Sequence, residues 1–219
     1  MIEVHPGVIH YPACLDAAAR RALANDVARV IEAAPLFVSR MPRTGVPMSV
    51  RMTNCGALGW MSDREKGYRY EPRHPETGQR WPPIPDRLLD LWHALTRHDA
   101  PPEACLVNVY DADARMGLHQ DRDEIDLAAP ILSLSLGADC RFRFGGLRRN
   151  EPTRAIILSD GDALVMGGPA RLCFHGVDRI LPTVSEGLPA PLDGYGVRIN
   201  LTLRRVGSLN SDGSGTVQP

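Results

Sequence analysis

Two histidines and an aspartate have the types and spacing of a metal site. His119 and Asp121 are separated by one residue, so on an extended segment both side chains leave the same face. A second imidazole is available at His175, inside the strand-like run RLCFHGV. Two imidazoles and a carboxylate leave positions around an ion open, as in non-haem Fe(II) oxygenases, although Zn²⁺ accepts the same ligands. We therefore predict that these three side chains bind a metal ion.

The run RINLTLR supplies a polar strand face that suits an anionic ligand. Its polar side chains share one strand parity, and its aliphatic side chains share the other. The polar set is Arg198, Asn200, Thr202 and Arg204. A surface strand with a solvated face would show the same alternation. Two arginines and an amide nevertheless favour a dicarboxylate, because a guanidinium binds a carboxylate through two parallel hydrogen bonds.

An amide and a phenol can join this anion-binding face. Asn108 and Tyr110 share one face of the run LVNVY, and both would reach the same pocket if that run neighbours RINLTLR. The H-x-D spacing alone is weak, because His and Asp often lie together on solvated loops. A metal triad combined with an anion-binding face favours iron chemistry over a simple zinc site.

Short strand-like runs separated by turns fill the second half of the chain. They are residues 104–110, 130–137, 140–146, 154–160, 162–168, 171–177 and 195–205. Strands at this spacing, without alternating helices, predict an antiparallel sandwich or barrel. The sequence Ser159-Asp160-Gly161-Asp162 predicts a hairpin turn.

The first half of the chain contains the helical patterns. Apolar residues recur at helical spacing over about 15–34 and again over about 86–98, where the pattern follows a proline-rich segment. Residues 36–81 between them are rich in Gly, Pro, Met and aromatic residues and have weak periodicity. We expect hairpins and long loops there, and a recognition lid.

Composition excludes several classes of protein. The chain has 219 residues, of which 43% are hydrophobic and 23% are charged, enough for one domain with a buried core. Its apolar stretches are far shorter than the roughly 18 residues of a membrane helix, and its first residues show no secretory signal. The 5 cysteines form no C-x-x-C pair, which is typical of reduced thiols. We therefore expect a cytoplasmic protein without a membrane span.

Charge is distributed unevenly along the chain. The formal net charge of −1 gives the whole molecule no basic field for a polyanion. Residues 141–154, however, contain 5 arginines against one glutamate, whereas residues 111–126 are mainly acidic. The first segment is suited to phosphate and the second to a cation.

These motifs occur together in one known family. The chain resembles the AlkB-type 2-oxoglutarate- and Fe(II)-dependent dioxygenases that repair alkylated nucleic acid, and among them it is most similar to the bacterial repair enzymes. The resemblance extends over most of the chain, through MSVRMTNCGALGW (48–60), ACLVNVY (104–110), GLHQDRDE (117–124), FRFGGLRRN (142–150), FHGV (174–177) and RINLTLR (198–204).

The resemblance implies a fold. It is a mainly β (α+β) protein with a double-stranded β-helix, or jelly-roll, core, flanking helices and an N-terminal nucleotide-recognition lid. One dioxygenase domain is expected over residues 1–206, with the lid at about 36–81 and the jelly-roll core at about 104–205. Residues 207–219 are expected to form a flexible tail.

The resemblance also implies which residues bind the cofactors. The metal becomes Fe(II), held by His119, Asp121 and His175, and the co-substrates become 2-oxoglutarate and O₂. The residues expected to bind 2-oxoglutarate are Asn108, Tyr110, Arg198, Asn200 and Arg204. Arg198 and Tyr110 are expected at its distal carboxylate, and Arg204 nearer the metal.

A pocket for the damaged base is implied as well. Its expected residues are Trp60, Tyr68, Arg69, Tyr70, Asp123 and Arg149. Trp60 should stack on the flipped base, Asp123 should lie beside the cationic methylated ring, and Arg149 should lie at the pocket edge. Tyr68 and Tyr70, with Arg69 between them, should face the nucleotide and its phosphates. Without the resemblance, Trp60 would also fit the core of a hairpin, and Asp123 would also fit a solvated surface.

The expected activity is oxidative demethylation of 1-methyladenine and 3-methylcytosine in single-stranded DNA, with RNA as a further substrate. Its products are formaldehyde, succinate and CO₂, and the expected enzyme is a monomer. The alternatives are a regulatory RNA or protein demethylase, a small-molecule hydroxylase and a non-catalytic nucleic-acid-binding module. The proline-rich loop 181–194 and the charged run DREK at 63–66 depart from the family pattern, at places where substrate preference could change.

Overall fold

The computed structural model describes residues 1–181, 188 and 190–207. Most of the predicted tail lies outside these residues, and so do positions 182–187 and 189 of the proline-rich loop. Within the described part of the chain, no helix is long and apolar enough to cross a membrane.

Two α-helices come from the predicted periodic segments, and most of the other regular structure of the described residues is β. The helices are α1 (Ala17–Ala33) and α2 (Asp86–Thr96). The strands are β1 (Ile2–His5), β2 (Val8–Tyr11), β3 (Arg51–Gly56), β4 (Gly59–Asp63), β5 (Gly67–Glu71), β6 (Ala104–Tyr110), β7 (Met116–His119), β8 (Ile131–Gly137), β9 (Cys140–Phe144), β10 (Arg154–Leu158), β11 (Ala163–Met166), β12 (His175–Ile180) and β13 (Arg198–Arg204). The Asp16 side chain caps α1 by accepting a hydrogen bond from the Ala19 amide at 2.8 Å.

Antiparallel sheets form the core. The larger sheet has 7 strands in the order β1-β2-β11-β8-β13-β6-β3, and the smaller has 4 strands in the order β10-β9-β12-β7. Strands β4 and β5 form a separate hairpin. This arrangement confirms the predicted mainly β class with a jelly-roll core and flanking helices.

The strand pairing corrects several sequence-based details. The predicted turn at 159–162 does not close a hairpin, because β10 belongs to the small sheet and β11 to the large one. Of the predicted strand 171–177, only the part from His175 onward is β, and it follows a 3-10 turn at Gly168–Ala170. Strands β1 and β2, which the sequence patterns did not predict, pair with each other and extend the large sheet beside β11.

The large sheet separates two hydrophobic clusters. On one face, the aliphatic side chains of β13 pack with α1 and α2, and Leu23, Trp92 and Leu201 are fully buried there. A second cluster contains Phe142 and Phe144 of β9 in the small sheet and Ile131 of β8 in the large one. The opposite parity of β13 therefore turns its polar side chains toward the interior and not toward water. This excludes the solvated-face interpretation of RINLTLR.

The close approach of β7 and β12 requires glycine at position 176. A Cβ there would lie 2.5 Å from the carbonyl oxygen of Met116 and 2.8 Å from that of Gly117. We expect Gly176→Ala to lower the free energy of unfolding by about 1–3 kcal/mol, because the backbone of β7 must move. Urea denaturation measures this change.

Gly117→Ala is the matched control, because no atom lies within 4 Å of a Cβ at Gly117. It should leave the urea midpoint nearly unchanged. Equal effects of the two substitutions would show that β7 and β12 are not in tight contact.

Candidate metal and anion site

The predicted metal ligands lie together where β7 and β12 pair. His119 ends β7 and is the register partner of His175, which begins β12. Asp121 follows two residues after β7, and ligand atoms from all three side chains lie within 4.8 Å of one another. The Nε2 atom of His119 is 3.6 Å from Oδ1 of Asp121, and Nε2 of His175 is 3.5 Å from Oδ2. One ion can contact all three groups.

Backbone carbonyls orient both imidazoles. Nδ1 of His119 lies 2.9 Å from the carbonyl oxygen of Gly117, and Nδ1 of His175 lies 3.0 Å from that of Cys173. A carbonyl only accepts, so each Nδ1 donates its proton and Nε2 is left as the metal-binding atom.

The Asp121 carboxylate is buried but charged. Burial opposes its ionisation, yet the Arg204 guanidinium and the two histidines hold the pKa of Asp121 well below its usual range. Nη2 of Arg204 lies 2.7 Å from Oδ1. Oδ2 of Asp121 has no hydrogen-bond partner among the described residues. An unsatisfied carboxylate oxygen is costly in a buried site, so it fits a cation.

The two histidines respond differently to this environment. Burial and the neighbouring His175 lower the pKa of His119 to about 4, which keeps its imidazole neutral. Burial also disfavours a charge on His175, but the adjoining Asp121 carboxylate raises the pKa of His175 to about 10. That proton supplies positive charge beside Asp121, and a bound metal ion displaces it, because a histidine ligand must be neutral.

A small cavity of about 40 Å³ opens between the two sheets at the triad. It is lined by the three ligands together with Asn108, Tyr110, Met116, Ile131, Ser133, Phe142, Met166, Gly176, Val177, Asn200, Thr202 and Arg204. Strands β6 and β13 are neighbours, as the anion-binding face requires. In their register, Arg198 lies opposite Tyr110, and Asn200 lies opposite Asn108.

Several buried polar atoms at this face are free for a ligand. Within the described part of the chain, Oδ1 of Asn108, Nε of Arg198 and Nε of Arg204 have no hydrogen-bond partner. The two guanidinium donors fit a dicarboxylate such as 2-oxoglutarate, whereas the free oxygen of Asn108 is an acceptor and would need a donor. Asn200 is already bonded, since its Nδ2 donates to Oγ of Ser133 at 2.7 Å.

Arg198 lies deeper than the other residues of this face. It is only 1% exposed, and it is not among the side chains that line the cavity. Its Nη1 donates to the Ala138 carbonyl at 2.8 Å, and its Nη2 donates to Oγ of Ser135 at 2.6 Å. These bonds fix the guanidinium beside Tyr110.

The β4–β5 hairpin brings an aromatic surface to the site. The Trp60 and Tyr68 rings stack with centroids 5.6 Å apart and an interplanar angle of 22°. Nε1 of Trp60 donates to Oδ2 of Asp123 at 2.8 Å, which ties the hairpin to the loop that carries Asp121. Burial raises the pKa of Asp123 above its usual value, whereas its bond from Trp60 opposes this.

The other predicted nucleotide residues are placed differently. The Tyr70 hydroxyl donates to the Glu124 carboxylate and accepts from Nη1 of Arg204 at 3.1 Å, so it faces the metal network. Arg69 alternates to the other face of β5 and pairs with Asp63 and Glu71 at 2.6 and 2.8 Å. The structure therefore does not bring Arg69 to the Trp60 surface.

Arg149 is exposed, with its guanidinium carbon 5.1 Å from the centroid of the Phe174 ring. It lies one residue before the chain turns at Asn150 toward β10. This places it outside the buried part of the site.

Sequence reasoning missed two buried residues of the site. Glu124 has a side chain that is 0% exposed, and the Arg171 side chain is 3% exposed; they pair at 3.0 Å. The sequence contains a feature that could have indicated each of these residues. Glu124 belongs to the acidic DRDE run, and Arg171 is a lone charge in the apolar run RLCFHGV.

Comparisons with known proteins agree with this geometry. The sequence model of the 2OG-Fe(II) oxygenase superfamily matches residues 7–204. The chain is 53% identical over 204 residues to the alpha-ketoglutarate-dependent dioxygenase AlkB homolog of Caulobacter vibrioides, covering 93% of this chain and 90% of that protein. It is 42% identical over 189 residues to AlkB of Escherichia coli K12, covering 84% of each chain.

A solved structure, described as that of OsALKBH1, superposes with a TM-score of 0.75 at 26% identity. The superposition covers 93% of this chain and 99% of that one. These matches show the fold, the enzyme class and its requirement for Fe(II), 2-oxoglutarate and O₂. The chain belongs to the AlkB-type 2-oxoglutarate- and Fe(II)-dependent dioxygenases.

Proposed function

We propose that this enzyme is an oxidative demethylase that repairs N-alkylated bases such as 1-methyladenine and 3-methylcytosine in single-stranded DNA, and also in RNA. The observation that carries the proposal is the 2.8 Å hydrogen bond from Trp60 to Asp123, two residues from Asp121. It fixes an aromatic surface and a carboxylate beside the metal triad. A flat, cationic base fits these two features together.

The proposed roles at the metal follow from the contacts. His119, Asp121 and His175 would hold Fe(II), and the free Nε donors of Arg204 and, deeper in the site, of Arg198 would receive 2-oxoglutarate. When bound, these cofactors supply the oxidation that hydroxylates an N-methyl carbon, and the product then loses formaldehyde. The protein positions the reactants and fixes the charges around them.

Base selection requires access to the pairing edge. A methyl group at N1 of adenine or N3 of cytosine lies on that edge, so the base must be unpaired and turned out of the base stack, and a lesion that cannot pair costs less to extrude. Trp60 would stack on the extruded ring. The partly buried Asp123 carboxylate would favour a cationic ring over a neutral one, because its charge is poorly screened.

One exposed arginine is available for the phosphates. Arg149 is exposed near the site, but Arg69 is already neutralised by two carboxylates. All proposed ligands come from one domain of one chain, so we propose that a monomer is active. The 5 cysteines are free thiols, in keeping with the proposed cytoplasmic location.

The direct test is formaldehyde release from oligonucleotides that differ in one property. Matched DNA and RNA strands carrying 1-methyladenine or 3-methylcytosine should release formaldehyde only with Fe(II) and 2-oxoglutarate present. Faster turnover of RNA would favour the regulatory RNA demethylase. Binding of these strands without turnover would favour a non-catalytic module.

The triad assignment predicts loss of metal binding. We expect Asp121→Ala to abolish 1:1 binding of Co²⁺, used as a stable substitute for Fe(II), because the site loses its only anionic ligand. Isothermal calorimetry of the metal-free protein measures this. Glu151→Ala removes a carboxylate that pairs with Arg148 in an exposed loop and should bind Co²⁺ like wild type. Unchanged affinity in Asp121→Ala would place the metal elsewhere.

Arg198 should not tolerate lysine. A lysine ammonium cannot reproduce both the bonds to Ala138 and Ser135 and a bidentate contact to a carboxylate. We expect Arg198→Lys to weaken apparent 2-oxoglutarate affinity at least tenfold, about 1.4 kcal/mol. A titration of 2-oxoglutarate against the metal-loaded protein measures this. The same affinity in wild type and variant would show that Arg198 does not reach the ligand.

Trp60 and Asp123 should affect substrate choice differently. Asp123→Asn can still accept the bond from Trp60 but lacks the charge, so it should reduce the preference for cationic lesions over neutral ones such as 3-methylthymine. Trp60→Ala should weaken binding of all methylated strands by a similar factor, since stacking is worth roughly 1–3 kcal/mol per base whatever the base. Rates for the two lesion classes, compared between variants, measure this. If Asp123→Asn slows both classes equally, Asp123 does not read charge.

A further inference from the structure

Arg171 is a buried arginine to which the proposed function assigns no role. It contacts residues 121–129, the loop that carries Asp121, which we call the metal loop. It is 3% exposed and follows the 3-10 turn Gly168–Ala170, four residues before His175. Burying a guanidinium is costly unless its donors are matched by acceptors. The identity of its acceptors therefore shows what the arginine holds in place.

Each of its nitrogens bonds to the loop that carries Asp121. Nη1 donates to the backbone carbonyl of Asp121 at 2.6 Å, and Nε donates to the carbonyl of Ala129 at 2.8 Å. Nη2 pairs with Oε2 of Glu124 at 3.0 Å. One planar group thus fixes both ends and the middle of the segment 121–129.

The charge of Arg171 completes a balanced buried network. Arg204 lies 2.7 Å from Asp121 and 3.3 Å from Glu124, so it bridges the two carboxylates. Arg171 supplies the second positive charge, on the other oxygen of Glu124. Without it, the Glu124 carboxylate would compete with Asp121 for Arg204, because one guanidinium would then serve two buried anions.

Arg171 also joins the two segments that bear the ligands. Its own segment leads into His175, and its acceptors surround Asp121. Nε2 of Gln120 donates to the Leu172 carbonyl at 2.6 Å and makes a second tie between the same segments. The distance from His175 to Asp121 therefore depends on contacts that do not involve the metal.

We infer that Arg171 is a positioning residue for the metal centre: through the backbone of Asp121 and the Glu124 carboxylate it sets the orientation of the Asp121 ligand relative to His175. This inference rests on the proposed metal site at His119, Asp121 and His175. Groups that orient metal ligands typically contribute 10–100-fold to metal affinity or activity.

The test is Co²⁺ binding to the metal-free protein, read by calorimetry and by visible absorption. Arg171→Lys keeps the charge but cannot make bonds in three directions at once. It should weaken Co²⁺ binding at least tenfold and alter the Co²⁺ absorption bands, at a temperature where circular dichroism shows a folded protein. Arg141→Lys is the control. Arg141 pairs with Asp178 and does not contact the metal loop, so its Co²⁺ binding and spectrum should match wild type.

The outcomes separate the inference from the function on which it rests. If wild type fails to bind Co²⁺ at 1:1, the metal assignment is wrong. If wild type binds and folded Arg171→Lys shows the same affinity and spectrum, Arg171 only stabilises the fold and the inference is wrong. If Arg171→Lys does not fold, Arg171→Gln decides, because its amide has two donors for the three acceptors of Arg171: weakened Co²⁺ binding by the folded variant supports the inference, and unchanged binding overturns it.

Discussion

The structure depends on keeping one carboxylate ionised away from water. Asp121 is 5% exposed, and such a charge survives burial only with matched positive groups around it. Arg204 supplies one such group from β13 at Oδ1, where His119 also lies, while His175 lies at Oδ2. The remaining unsatisfied oxygen gives the cavity its affinity for a cation. The metal site and the fold are thus stabilised by the same charges.

This constraint links elements that are distant in sequence. Tyr70 in the β4–β5 hairpin hydrogen-bonds to Glu124 and Arg204. These bonds connect the hairpin that carries the aromatic surface to the metal loop. Trp60 makes a second link through Asp123. The hairpin that carries the proposed base-binding surface is therefore held against the metal site by polar contacts as well as by packing.

Local periodicity predicted the parts of the site that lie on single strands. The alternation in RINLTLR and LVNVY placed Arg198, Asn200 and Asn108 on inward faces, and H-x-D placed His119 beside Asp121, because strand side chains alternate with a period of two. It could not predict that the turn at 159–162 changes sheets, or that Arg171 meets Glu124. The Arg171–Glu124 contact joins residues 47 positions apart, and the change of sheet depends on the pairing of whole strands. No local sequence pattern could predict either feature. The family resemblance implied the proposed base pocket, but it did not show that Arg69 is neutralised by its neighbours on the hairpin.

The most direct measurement of the central claim is X-ray absorption at the iron edge of protein reconstituted with Fe(II) without oxygen. We expect two imidazole ligands with oxygen atoms in the remaining positions, no sulfur, and a change in the oxygen shell when 2-oxoglutarate is added. Sulfur at bonding distance, more than two imidazoles, or a spectrum unaffected by 2-oxoglutarate would contradict an iron site built on Asp121.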